Sequence, residues 1–352
     1  MGAGSNEHGE AYGAVPLRIR LGALAAVLLL LFGLPTALLL WMTAVPGRSY
    51  SGPLPSLTPA QTDLAGRLRA HVESIASQPH NVAHPDALEA AAGYLETQLL
   101  RLGYPVHRQT FTAGGVSVRN IEVTVESADP RAPTLVVGGH YDSVGDAPGA
   151  NDNGTGAAAV VELARELADL RNRSALRIRL VLFVNEEPPF FKTGSMGSLV
   201  YARALKRGGE PVLGMLSLET IGFYSDLPDS QHYPFPLGLL YPSTGNFIAF
   251  VGTTGSRSWV RRATGAFRAA ARFPSVGGSA PALIQGIDWS DHWSFGQVGI
   301  PAAMVTDTAP FRYPYYHTAA DTPDKVDYGR MARVVDGLAA MIRSWASPAT
   351  HP

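Results

Sequence analysis

Leu180-Val181-Leu182-Phe183-Val184-Asn185-Glu186-Glu187 is an apolar run that ends in two carboxylates. Its length and its branched and aromatic side chains predict a buried strand. Such a strand gains nothing in packing by ending in adjacent charges, because charged side chains are rarely buried unless paired or bound to a metal. Neighbouring residues at a strand end point in different directions. One carboxylate can therefore hold a cation while the other faces a substrate as a proton acceptor. Taken alone the pair reads better as a solvated loop; the rest of the chain decides otherwise.

On either side of this run, which predicts a strand over 177–184, apolar segments at 134–138, 212–218, 247–251 and 302–305 predict further strands. Segments 106–112 and 117–125 predict a hairpin that turns at Gly114-Gly115. Helices are predicted over 85–102, 155–170, 195–206, 256–271 and 325–345, with an earlier one opening at Thr58-Pro59-Ala60-Gln61. There Thr58 is the N-cap and Pro59 takes the first helical position. Apolar strands alternating with helices predict an α/β domain over 58–347, with a mixed, mostly parallel central sheet flanked by helices. The stretch 223–245 is long for a connection and rich in Pro and Tyr. It suits a pocket wall or lid and a plain surface loop equally well.

Composition narrows the function classes. The chain has 352 residues, 46% hydrophobic and 16% charged, enough for one large core and a membrane element. Lys and Arg number 28 against 29 Asp and Glu, so no global field gathers nucleic acid, and no nucleic-acid partner is expected. There is no cysteine, which excludes disulfides, thiolate zinc sites and a cysteine nucleophile. Any metal site must be built from His, Asp and Glu. Residues 21–45 are almost wholly apolar and no charge falls between 21 and 47. That length crosses a hydrocarbon slab of about 30 Å as a helix and exceeds a cleaved signal's apolar region. Arg18 and Arg20 before it and Arg48 after it place the N-terminus in the cytoplasm and the large domain in the periplasm or outside. Residues 1–16 read as a polar, disordered tail, 46–57 as a Pro-, Gly- and Ser-rich linker, and 348–352 as a short tail.

In open α/β sheets, sites form beyond the carboxyl ends of the strands. Four strand ends here carry the same residue types: His140-Tyr141-Asp142-Ser143, Asn185-Glu186-Glu187, Glu219, and Thr306-Asp307 with His317 a short loop later. Between the first two lies Gly149-Ala150-Asn151-Asp152-Asn153-Gly154-Thr155-Gly156, a glycine-rich turn opening a helix. Asp152 within it, with no Lys after it, disfavours phosphate and suits a metal. Carboxylates converging without basic partners would repel one another severely unless a multivalent cation were present.

These motifs, in this order, resemble the metallopeptidases of family twenty-eight, which include leucyl aminopeptidases, aminopeptidase Y, glutamate carboxypeptidase and the related glutaminyl cyclases. The resemblance runs from about residue 58 to 345 and rests on His-x-Asp-Ser, Gly-Ala-x-Asp-x-Gly, the paired glutamates, the acid after the next strand and the late His. It implies a zinc aminopeptidase-like fold of the phosphorylase/hydrolase type and two zinc ions per chain. It implies that Asp152 bridges both metals, that His140 and Glu219 complete one, and that Glu187 and His317 complete the other. Glu186 would be the general base, taking a proton from water and passing it to the leaving amine. Asp142 would accept the imidazole N–H of His140 and fix its tautomer. Many family members carry Asp where this chain has Glu219, which bears on metal spacing there; Asp226, beyond the expected strand end, is the poorer alternative acid.

Asp288-Trp289-Ser290-Asp291-His292-Trp293-Ser294-Phe295 falls, by the same resemblance, at the substrate pocket, with Asp291 as an acceptor for an amine. Aromatic packing around a capped turn explains the stretch equally well, and His292 reads as structural. Tyr313, Tyr315 and Tyr316 suit a specificity pocket or simple packing, and Asp321 is expected to orient His317 or its loop. The implied activity is a metal-dependent aminopeptidase acting on peptides, anchored in a lipid bilayer. The alternatives are a single-zinc glutaminyl cyclase-like acyltransferase, which shares most of these ligands, and a non-catalytic ectodomain. Oligomeric state is not legible.

Overall fold

The computed structural model describes residues 16–347, so the tail expected at 348–352 and all but the last residue of that expected at 1–16 lie outside the described residues. The chain divides into a unit ending at Met42 and one beginning at Thr43. The first is an apolar helix, α1 (Leu17–Leu28) and α2 (Leu34–Thr43) joined by a π-turn at Leu29–Gly33. Pro35 has no N–H to offer the carbonyl one turn back, which is the local reason for the irregularity. The combined segment Leu17–Thr43 is 27 residues, about 40 Å of helix, long and apolar enough to cross a membrane.

The second unit opens with α3 (Pro59–Ile75), where Thr58 and Gln61 form a reciprocal capping box behind Pro59. Then come α4 (Pro85–Arg101), the hairpin β1 (His107–Ala113) and β2 (Val116–Val125), β3 (Thr134–His140) and α5 (Thr155–Glu166). These are followed by β4 (Arg177–Phe183), α6 (Gly197–Arg207), β5 (Val212–Glu219), β6 (Ile248–Thr253) and α7 (Arg257–Ala270). The last elements are β7 (Ser275–Ala280), α8 (His292–Gln297), β8 (Ala302–Thr306) and α9 (Tyr328–Ala346). The eight strands form one sheet in the order β1-β2-β4-β3-β5-β8-β6-β7. Its centre, β4-β3-β5-β8, is parallel, while β1, β2 and the β6–β8 pair are antiparallel.

Strand periodicity divides the core between two faces. Leu135, Val137, Ile178, Leu180 and Leu182 join one cluster with α3, α5 and α9, whereas Val136, Val181 and Phe183 join a second under α6 and α8. Gly156 shows how tightly α5 meets the sheet: a Cβ there would lie 2.4 Å from the Leu218 carbonyl and 2.4 Å from Asn153 Oδ1. The strand β7 was not expected from its sequence, Ser-Val-Gly-Gly-Ser-Ala. Its glycines look like a loop but let α7 pass close, since a Cβ at Gly277 would sit 2.4 Å from Thr264 Oγ1.

The segment at 46–57, expected as a linker, is a bound strap instead. Arg268 Nη1 donates to the carbonyls of Pro46 (3.1 Å) and Gly47 (2.9 Å), and Ser275 N donates to Ser49 Oγ (2.9 Å). Arg333 donates to the Pro55 carbonyl, and Leu54 packs against the core. An extended Pro- and Gly-rich chain offers free carbonyls, and the arginines of α7 and α9 take them.

Between α3 and α5 the core buries a charge. Glu162 is fully buried and accepts hydrogen bonds from Arg67 Nε (2.7 Å) and Arg165 Nε (3.2 Å), with His71 Nε2 at 3.0 Å. Burial alone would raise its carboxyl, but hydrogen bonds from His71 and Arg67 hold it below the ordinary glutamate value. A depressed carboxylate contributes stability that is present above its unfolded pKa and lost as pH falls through the folded one. Glu162→Gln is therefore expected to cost on the order of 3 kcal/mol at pH 7 by denaturant titration. The deficit relative to the parent should shrink as pH falls below about 4, and a pH-independent deficit would contradict this account.

Candidate metal centre

Strand-end carboxylates and imidazoles meet beyond the carboxyl edge of β3, β4 and β5. His140 closes β3, Glu219 closes β5, and Glu186 and Glu187 follow β4. Asp152 lies in the turn before α5, and His317 in the loop after β8. Three overlapping groups bring ligand atoms within 4.8 Å of one another: His140, Asp152 and Glu219; Asp152, Glu187 and His317; and His140, Glu186 and Glu187. Asp152 belongs to the first two. Its Oδ1 is 3.4 Å from His140 Nε2, and its Oδ2 is 3.0 Å from His317 Nε2. Glu219 Oε2 lies 3.3 Å from His140 Nε2, and Glu187 Oε1 lies 3.4 Å from His317 Nε2. Asp226 is elsewhere, exposed and paired with Arg330.

Several of these atoms are buried without a hydrogen-bond partner, namely His140 Nε2, Asp152 Oδ2 and Glu187 Oε1. Buried polar atoms are seldom left so in a folded protein. A cation fits them: the donors are imidazole and carboxylate, they converge, and no Lys or Arg neutralises them. Burial pushes Glu187 up to about 7 and Glu219 up to about 8, and holds Glu186 well above the usual range. Facing carboxylates raise His140 well above its ordinary value despite burial, and His317 to about 10.

A second set of acids builds the frame. Asp142 was expected to take the His140 imidazole N–H. Its carboxylate instead accepts the backbone N–H groups of Glu186 (3.1 Å) and Glu187 (3.2 Å) and lies 3.6 Å from His140 Nδ1. The imidazole Nδ1 meets the Asp142 carbonyl at 3.0 Å, which serves the same tautomer. Asp321 was expected to orient His317 or its loop. It accepts the N–H groups of Asn151 (2.8 Å) and Asp152 (3.1 Å) and the Tyr313 hydroxyl (2.8 Å), so it ties the Asp152 turn to the loop that carries His317. Tyr313 is thereby buried as a brace. Asp307, at the end of β8, accepts from Phe223 N (2.8 Å) and Asn151 Nδ2 (3.0 Å). That brace was not read from the sequence, where Asp307 looked like the other strand-end acids.

Three residues at this edge hold positive φ without being glycine: Asn185 before the paired glutamates (61°), Thr220 after Glu219 (45°), and His317 itself (57°). Such conformations cost on the order of 1 kcal/mol or more and cluster at functional sites. Tyr316 stacks on the His317 ring with centroids 3.8 Å apart. Ser290 Oγ donates to Glu219 Oε2 at 2.7 Å. Asp291 is fully buried, and neither carboxylate oxygen has a hydrogen-bond partner. Its burial pushes it up to about 7. His292 is structural as expected, with Nε2 2.8 Å from the Ile287 carbonyl.

Residues 120–342 match Peptidase family M28. Over 273 residues the chain is 37% identical to the uncharacterized protein YfbL of Escherichia coli (strain K12), covering 75% of this chain and 82% of that protein. A probable zinc metalloprotease of Leptosphaeria maculans is 29% identical over 240 residues, 63% of this chain and 53% of that relative's length. Among solved structures, the LapA aminopeptidase of Legionella pneumophila shares the fold with a TM-score of 0.66 at 18% identity, covering 85% of this chain and 78% of that one. A glutaminyl cyclase of Fimbriiglobus ruber does so with 0.59 at 21% identity, covering 85% and 99%. The sheet and its flanking helices are thus those of an aminopeptidase-like fold.

The electrostatics set a sign for stability. A carboxylate raised from the ordinary 4.5 to about 7 or 8 favours unfolding as pH climbs between those values. A histidine raised to about 10 contributes stability that fades above the ordinary 6.5. Both slopes run the same way, so chelated protein should lose melting temperature from pH 5 to pH 8. Metal-loaded protein should not, because deprotonated ligands are what a cation needs. Parallel melting curves with and without chelator would contradict a metal at these residues.

Proposed function

The chain belongs to peptidase family M28, and we propose that it works as a membrane-anchored, two-zinc aminopeptidase. The observation that carries this reading is the position of Asp152, shared by two ligand groups, with one carboxylate oxygen toward His140 and the other toward His317. His140 and Glu219 would complete one zinc site, Glu187 and His317 the other. Imidazole and carboxylate without thiolate suit zinc. Glu219 is longer than the Asp common in the family, and its Oε2, 3.3 Å from His140 Nε2, is held by a hydrogen bond from Ser290 Oγ. Zinc bound by these residues would supply Lewis acidity, acidifying water and polarising the scissile peptide carbonyl.

The chain's own residues do the rest. Glu186 stands 3.9 Å from His140 Nε2, outside the two groups that share Asp152. Buried among carboxylates, it keeps a high proton affinity, which suits a group that accepts a proton from water and returns it to the leaving amine. Asp142 fixes that carboxylate through its backbone, and Asp321 fixes the Asp152 turn. The crowded acids favour a cationic α-amine at the substrate's N-terminus, and Asp291 is the acid left over for it. A single-zinc, glutaminyl cyclase-like reading rests on the cyclase-like fold and on Asp152, Glu187 and His317 forming a complete group by themselves. The anchor would be Leu17–Thr43, with peptide substrates reached outside the cytoplasm.

Metal analysis of purified protein should give two zinc ions per chain, and an aminoacyl and glutaminyl substrate panel should release free amino acids. One ion per chain with pyroglutamate formed would favour the cyclase reading. Glu186→Gln should lower turnover on the order of 10²- to 10⁴-fold while metal content stays unchanged; unaltered turnover would remove Glu186 as the base. Full-length protein should fractionate with membranes and resist high-salt extraction, whereas release by salt would remove the anchor.

A further inference from the structure

Large apolar side chains are exposed in two places on the second unit. Among the described residues outside the N-terminal helix, Leu100 alone of the exposed large hydrophobics lies apart from segments 227–240 and 283–289. Phe235 is 85% exposed, Leu239 71% and Leu283 84%. The two segments adjoin, since His232 N donates to the Phe311 carbonyl (2.9 Å), while a Cβ at Gly286 would lie 2.8 Å from the Phe311 ring. Their charges lie at their ends, Asp229 in the first and Asp288, paired with Lys192, in the second; no Asp, Glu, Lys or Arg occurs from 230 to 256 or from 273 to 287. A surface meant for solvent rarely gathers apolar groups without interspersed charges.

The strap shows what covers it. Ser49 accepts from the backbone N–H of Ser275, the first residue of edge strand β7, and Tyr241 Oη donates to the carbonyl of Gly277, two residues along. Strap and apolar loop therefore hold the same few residues of one sheet edge. Between Thr43, the end of the apolar segment, and Ser49 lie only six residue steps, at most about 20 Å of extended chain. If Leu17–Thr43 spans a bilayer, chain length alone keeps Ser49 within about 20 Å of the end of the span.

We propose that the β7 edge is a membrane-docking face, on which Phe235, Leu239, Leu240 and Leu283 enter the interfacial region of the bilayer that holds the anchor. The proposal rests on the anchor reading above and goes beyond it, because an anchor alone permits a domain that swings freely. The stretches 230–256 and 273–287 bring no Asp, Glu, Lys or Arg into the headgroup boundary, where interfacial apolar groups are buried to a depth of about 5–10 Å.

The lack of cysteine makes the test direct. Single cysteines at Phe235→Cys, Leu239→Cys and Leu283→Cys in the full chain, labelled with an environment-sensitive fluorophore, are reconstituted in vesicles containing spin-labelled phosphatidylcholine. Leu30→Cys reports the anchor, and Arg131→Cys, whose side chain is 91% exposed before β3, reports solvent. Labels at 235, 239 and 283 should be blue-shifted and quenched several-fold more than the label at 131, equally at low and high protein-to-lipid ratios. Quenching at Leu30 with solvent-like signals at all three loop sites would overturn docking while leaving the anchor intact. No quenching at Leu30 would overturn both. A blue shift only at high protein density, without lipid quenching, would assign the face to a second copy of the chain and overturn the proposal.

Discussion

Mutual repulsion among buried carboxylates is the constraint around which this domain is arranged. Asp152, Glu186, Glu187, Glu219 and Asp291 are all buried within reach of two imidazoles, with no Lys or Arg among them. Ionised together in a low-dielectric edge they would be costly by many times the stability of an ordinary fold, so they either keep protons or hold cations. On the proposed reading, that choice would make the site a metal binder, give the metal-free protein its pH sensitivity, and leave Glu186 as the base.

Holding such groups together demands a rigid frame, and the frame is acidic too. Asp142, Asp321 and Asp307 resemble the candidate ligands in sequence and burial, yet both oxygens of Asp142 and Asp321 and one oxygen of Asp307 accept N–H groups. Hydrogen bonds from amides favour the ionised carboxylate without a cation. Asp142 and Asp321 thus position their neighbours, whereas Asp307 keeps one oxygen without a partner, as do Asp152 and Glu187. Positive φ at Asn185, Thr220 and His317 belongs to the same frame, since the strained turns aim ligands that regular strand ends would splay apart.

The periphery obeys a different rule. Away from the site the strap, α7 and β7 are joined by arginine-to-carbonyl bonds, while the loops beside them carry apolar side chains outward. The extended strap leaves the segment after the apolar helix little freedom.

Much of this was legible beforehand. Strong periodicity located the central strands, the Thr58-Pro59 cap started its helix as expected, and His140, Asp152, Glu186, Glu187, Glu219 and His317 stood out at strand ends, in the glycine-rich turn and in a late loop, their division into ligands and base being what the family resemblance implied. The glycine-rich β7 was invisible, because its glycines answer to the closeness of α7 and not to any local preference. The strap looked like a linker for a similar reason: its order comes from Arg268, Arg333 and Ser275, more than two hundred residues away. The division among acids was also hidden. Local sequence determined which residues carry charge at the strand ends, since that is a matter of composition and periodicity. Only the tertiary structure decided that Asp142 and Asp321 face amides and that Asp152 faces two histidines, because hydrogen-bond partners are assigned by the packing of segments distant in the chain.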